Sequence, residues 1–173
     1  HRHKWSINVS MNEKFRPQYH FTSPENWLND PNGLLQWKGK YHLYYQHNPN
    51  GAFWGDMHWG HATSTDLINW DHQPIAIDPD RDYDRDGVFS GCAIPMEDKV
   101  LFYYTGVETA EGPQLPCLAT ASDDLLLRPE KHEKNPLFRP PEEVKTTIFR
   151  DHALLQHDGQ WIQVIGSGIE GES

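Results

Sequence analysis

The chain has 173 residues, 36% of them hydrophobic, with 7 Trp, 7 Tyr and 7 Phe, which is enough apolar surface for a folded core. Its formal net charge is -10 with His neutral, which argues against nucleic acid or an anionic membrane as a partner, because phosphate binding needs a basic stripe. An acidic, Trp-rich chain suits neutral polyhydroxyl ligands, whose apolar C–H faces stack on rings and whose hydroxyls donate to carboxylates.

Residues 1–14 are polar and aperiodic, and the reading expects an N-terminal arm there, ahead of one domain over 15–173. His1 to Ser10 has no signal-peptide core, and no apolar run reaches the roughly 18 residues of a membrane span. Asn8-Val9-Ser10 matches a glycosylation acceptor, a three-residue pattern of little weight. Compartment and oligomeric state are not legible. From Phe15 onward, short alternating runs of aromatic and β-branched residues are separated by Gly, Pro, Asn and Asp. No window holds a helical period, so the chain is expected to be all-β.

Trp27-Leu28-Asn29-Asp30-Pro31-Asn32-Gly33 contains two turn dipeptides, Asp-Pro and Asn-Gly. The pattern predicts a sharp bend at the lip of a strand, with a carboxylate presented beside an aromatic ring. Taken alone, Asp30 would be a turn residue bonded to its own backbone.

An internal repeat changes that reading. Lys40 to Tyr45, Lys99 to Tyr104 and Gln160 to Ile165 share one frame, and Ala62 to Asp66 resembles Ala119 to Asp123. A repeat of roughly 60 residues built of strands predicts propeller blades. Asp30, Phe89 and Arg150 lie equally far ahead of the three repeated strands. In a propeller the first strand of each blade lines the central channel, so Asp30 and Asp151, with an Arg and a Ser, should face one funnel. Propellers have at least four blades, whereas this length at roughly 60 residues each supplies about three at most, so the sequence is expected to be part of a longer chain.

Three further features have structural readings. Asp80 to Gly87 fits the first half of a calcium loop, but Ala93 stands where a bidentate Glu is required, and a solvated loop is expected. His42, His47, His58 and His61 lack the spacing and acidic partners of a metal set. Cys92 and Cys117 read as thiols. Trp37, Trp70 and Trp161 follow strand alternation and are expected in blade cores, while Trp54, in the Gly51 to Gly55 loop, is the better ligand contact.

The ordered motifs Trp27 to Gly33, Tyr41 to Pro49, Phe53-Trp54-Gly55, His58 to Ala62, Asp66-Leu67, Phe89-Ser90-Gly91 and Arg150-Asp151 together resemble glycoside hydrolase family 32, the invertases, levanases, inulinases and other β-fructosidases. The resemblance covers nearly the whole chain. It implies a five-bladed β-propeller with an axial funnel, usually followed by a β-sandwich, of which about three blades are present. It also implies Asp30 as nucleophile and Asp151 as transition-state stabiliser, with Asn29, Gln46, Trp54, Phe89, Ser90 and Arg150 around a fructose pocket. Trp27 is a second-rank candidate. No cofactor or metal is implied, and the partner is a small sugar such as sucrose, or a fructan.

Two departures stand out. Many members have Pro after the Arg-Asp pair, where this chain has His152. The family's acid/base Glu, which precedes a Cys, has no counterpart here, since Glu170 and Glu172 lack that context; it is expected about one repeat beyond Asp151. Retaining glycosidases place two carboxyl groups about 5–5.5 Å apart, one attacking and one protonating the leaving oxygen. Three readings therefore stay open: a β-fructosidase acting with retention, a fructosyltransferase using the same intermediate, and a non-catalytic sugar-binding fragment. The preferred fructoside is not legible.

Overall fold

A computed structural model of the chain describes residues 16–17, 19–142 and 146–169. The expected arm over 1–14, the Asn8 acceptor, Glu170 and Glu172 lie outside the described residues. Within them the elements are ten strands: β1 (Trp27–Trp37), β2 (Lys40–Asn48), β3 (His58–Ser64), β4 (Asp71–Ile77), β5 (Gly87–Pro95), β6 (Val100–Val107), β7 (Gln114–Ala121), β8 (Glu130–Lys131), β9 (Thr146–His157) and β10 (Gln160–Ile169). They form three antiparallel sheets in chain order, β1-β2-β3-β4, β5-β6-β7-β8 and the pair β9-β10. These are propeller blades, and their first strands are neighbours, β1 packing on β5 and β5 on β9.

The sequence repeat falls on this plan: its frames are β2, β6 and β10, and the Ala-Thr frames are β3 and β7. Alternation in β2 explains why blade 1 is buried on both faces. Tyr44 points into the main core with Trp59, Phe102, Tyr104 and Leu115, all fully buried, and its hydroxyl donates to Leu126 O at 3.1 Å. Leu43 and Tyr45 point the other way, against Phe21, Leu28 and Trp70. The main core is thus the seam between blades 1 and 2, where facing sheets interdigitate.

Bulges, not turns, shape the inner strands. The expected bend at Trp27 to Gly33 is instead a continuous strand with two register shifts. At the first, Asn29 and Asp30 oppose the single residue Gln46; at the second, Gly33 (φ 51°) and Leu34 oppose Leu43. The turn-forming residues supply the positive φ and kink of a bulge while pairing continues on both sides. Strand β5 bulges at Ser90-Gly91 opposite Tyr104, and β9 at Asp151-His152 opposite Ile165. Asn29, Ser90 and Asp151 are evenly spaced along the chain, so the bulges, rather than Asp30, Phe89 and Arg150, mark equivalent positions. The count back from the following strand differs in blade 1, where β1 carries an extra bulge, Gly33-Leu34, between its first bulge and the hairpin, a stretch that pairs without a break in β5 and β9.

Two expectations fail in the outer regions. The Asp80 to Gly87 loop is not uniformly solvated: Asp84 is fully buried, accepting from Tyr104 at 3.0 Å and from Lys131 Nζ at 2.6 Å. Lys131 also reaches Asp80, so the loop is an internal clamp from the β4–β5 connection to the outermost strand β8. Trp161 is 48% exposed, while Trp37 is buried and Trp70 half-buried. Blade 3 has only two described strands, and Trp161 lines an open groove together with Ile94, Met96, Leu101, Tyr103 and Leu154. Among the described residues no helix is long and apolar enough to cross a membrane.

Candidate active site

The three bulges open onto one cavity of about 360 Å³. Strand β1 contributes Asn29 and Asp30, β2 Gln46, β5 Phe89 and Ser90, and β9 Arg150 and Asp151, while Trp54 and Met57 come from the β2–β3 loop. A bulge re-aims side chains that regular pleating would send to opposite faces. That lets neighbours in sequence, Asn29 with Asp30 and Arg150 with Asp151, line the same cavity.

The polar groups are held by short bonds. Ser90 Oγ donates to Asp30 Oδ2 at 2.8 Å. The Ser90 carbonyl in turn accepts from Thr105 Oγ1 at 3.0 Å, and the adjacent Phe89 carbonyl from the Trp59 indole at 3.1 Å, so β5 is fixed from behind by two buried donors. Gln46 is 2% exposed and donates to Val88 O at 3.0 Å, with Val88 N donating to Met57 O at 2.9 Å. Asn32, also buried, accepts from Gly91 N at 3.4 Å and ties the bulge of β5 to β1. Arg150 Nε lies 3.5 Å from Asp151 Oδ2, keeping the pair together at the mouth.

Part of the cavity wall is aromatic. Trp54 and Phe89 meet edge to face with centroids 5.9 Å apart, and Trp54 stays exposed beside the cavity. Phe53 carbonyl accepts from Asn48, and Asn50 bonds Asp56, so the loop carrying Trp54 is bonded at its base. Two carboxylates, an aromatic face and a single cation in one lining suit a neutral ligand with several hydroxyls.

All eight residues singled out from the sequence for the pocket therefore lie around one cavity. Trp27 does not line it; its indole donates to Asn29 Oδ1 at 2.7 Å and so orients a lining residue from behind. Met57 lines the cavity and was missed, as were the supporting Asn32 and Thr105. Met57 had a usable signal in closing the loop that holds Trp54, whereas Thr105 had none, since a buried strand Thr looks like any other.

The histidines and thiols stand apart from the cavity. His42 Nδ1 and His61 Nε2 are 3.1 Å apart in the blade 1 core, with Tyr44 stacked on His61 at 4.3 Å. His58 lies on the other face of β3, near Asp56 and Asp78. No group of three potential metal ligands occurs among the described residues. Both cysteines are free, and burial pushes the Cys117 thiol up to about 12, which keeps it protonated.

The family model described as the glycosyl hydrolases family 32 N-terminal domain matches residues 20–173. An acid β-fructofuranosidase 1, vacuolar, of a Rosa hybrid cultivar is 47% identical over 160 residues, 89% of this chain and 27% of that protein. A 6(G)-fructosyltransferase of Asparagus officinalis is 46% identical over 88% of this chain and 26% of its own length. The crystal structure of fructan 1-exohydrolase IIa from Cichorium intybus superposes with a TM-score of 0.83 at 42% identity, over 91% of this chain and 30% of that one. The chain thus spans about a quarter of the length of the curated relatives it matches.

Proposed function

Since the chain belongs to glycosyl hydrolase family 32, whose N-terminal domain is a five-bladed β-propeller, we propose that it carries the fructose-binding part of a retaining β-fructosidase acting on sucrose or fructans. The observation that carries this is the convergence of Asp30 and Asp151, from blades 1 and 3, on one aromatic-walled cavity.

In this mechanism Asp30 attacks the anomeric carbon of the fructosyl unit. Ser90 holds Oδ2, leaving Oδ1 as the attacking oxygen. As the glycosidic bond breaks, positive charge develops on the ring, and the carboxylate of Asp151 stabilises it more strongly than it does the ground state. Arg150, with Nε 3.5 Å from Asp151 Oδ2, holds that carboxylate in place. The leaving oxygen needs a proton from a carboxylic acid, which this mechanism takes from beyond the described residues. Water, giving up a proton to the group that protonated the leaving oxygen, then attacks the anomeric carbon from the face the leaving group left, opposite Asp30, releasing fructose with retained configuration and restoring the Asp30 carboxylate.

Product analysis of the full-length protein on sucrose tests the reading. Free glucose and fructose in equal amounts are expected, the product being initially the β-anomer by NMR, with loss of turnover on Asp30→Ala. Kestose-type oligomers would instead support fructosyl transfer, the second reading, which the 46% identical fructosyltransferase favours. Sugar binding without any product would leave only the non-catalytic alternative.

A further inference from the structure

Asp151 has a positive φ of 61°, a left-handed conformation that glycine adopts freely and an aspartate adopts at a cost on the order of 1 kcal/mol. Something must hold it there. The next residue, His152, is the second residue of the same bulge and is only 3% exposed, while Asp151 itself faces the cavity. Its Nδ1 accepts from the amide of Gln163 at 3.1 Å, across the ladder on β10. Nε2, which then carries the proton, has no partner among the described residues. Burial lowers the imidazole pKa to about 4, so at neutral pH the ring is an uncharged acceptor. Opposite the bulge, a Cβ added to Gly166 would stand 3.1 Å from Arg150 O, so β10 approaches closely on this side too.

We propose that His152 and Gln163 form a positioning pair, which anchors the β9 bulge to β10 and thereby aims the Asp151 carboxylate into the cavity. The ring acts through Asp151 and does not itself line the cavity. A buried side-chain hydrogen bond restrains the residue that follows Asp151. A bonded anchor of this kind stabilises one bulge geometry over the regular pairing that would turn Asp151 to another face.

The inference rests on the role proposed above for Asp151, and the test separates the two. In the full-length protein, kcat and KM on sucrose are measured for His152→Ala, His152→Gln, Gln163→Ala and the double Ala variant, each also in an Asp151→Asn background. His152→Ala and Gln163→Ala should each lower kcat roughly tenfold while KM moves less than about threefold, and the double variant should be no worse than the worse single one, as expected for a unit. His152→Gln, which keeps an acceptor, should recover part of the loss. In the Asp151→Asn background neither change should lower the residual rate further. If the losses multiply with that of Asp151→Asn, or disappear when rates are referred to folded protein by active-site titration, the positioning pair is wrong. If His152→Ala does not fold, Gln163→Ala in the two backgrounds decides by the same criterion. If Asp151→Asn keeps full kcat, the role of Asp151 itself fails, whereas a crippled Asp151→Asn beside an unaffected Gln163→Ala overturns the pair alone.

Discussion

Ser90 Oγ donates to Asp30 Oδ2 at 2.8 Å, a bond between the first strands of two successive blades. It fixes the carboxylate that the proposed mechanism uses for attack. A hydrogen bond to a charged group contributes about 1.5–3 kcal/mol, so Ser90→Ala should lower kcat/KM roughly 10- to 100-fold. Steady-state kinetics on sucrose with the full-length protein measure this. A change within twofold would mean that the bond does not orient the nucleophile.

Gly91 follows Ser90 in the β5 bulge, and a Cβ there would lie 1.9 Å from Tyr103 O. No side chain can yield, because the obstacle is the backbone of the paired strand. Gly91→Ala should therefore force β5 from β6, destabilise by about 1–3 kcal/mol or more, and displace Ser90 from Asp30. Denaturant unfolding and kinetics should both register the change. Normal stability together with normal kcat/KM would contradict the close approach.

Lys131 is nearly buried between Asp80 and the fully buried Asp84, with its Nζ 2.6 Å from an oxygen of each. Removing the cation leaves the fully buried Asp84 carboxylate without its charged partner. Lys131→Met should destabilise by about 3–5 kcal/mol, and adding Asp84→Asn should restore part of the loss. A urea midpoint unchanged in Lys131→Met would show that the clamp carries no stability.

Three buried histidines make stability fall in acid. Burial, then His42, lowers the His61 pKa to about 3; burial lowers that of His152 to about 4; and burial, then Lys40, lowers that of His42 against an opposing effect of Asp123. The unfolded chain takes up protons on these groups near pH 6.5, before the folded protein does. Stability present at neutral pH is therefore lost as pH falls below about 6.5 and continues to fall toward the folded values, by on the order of 1 kcal/mol per pH unit for each group. Urea midpoints of the full-length protein at pH 7 and pH 5 should differ accordingly, and His61→Gln should flatten the difference. An equal drop in that variant would place the acid sensitivity elsewhere.

Strand period, repeat and composition fixed the all-β blades from the sequence alone, because alternation in β2, β6 and β10 is a local property that each segment carries by itself. The ordered motifs also named the eight residues that come to surround the cavity. The bulges were not legible. Asp-Pro and Asn-Gly favour bending, yet whether a bend ends a strand or only kinks it depends on partner residues such as Gln46 and Leu43. The burial of Asp84 was equally hidden, since its partner Lys131 lies on a strand far along the chain and an Asp-rich loop reads as solvated until that cation arrives. Trp161 shows the reverse: its alternation suited a core, but what covers a ring is decided by the neighbouring sheet. Local geometry is written in neighbouring residues, whereas pairing register and burial are set by residues that only the packed blades bring together.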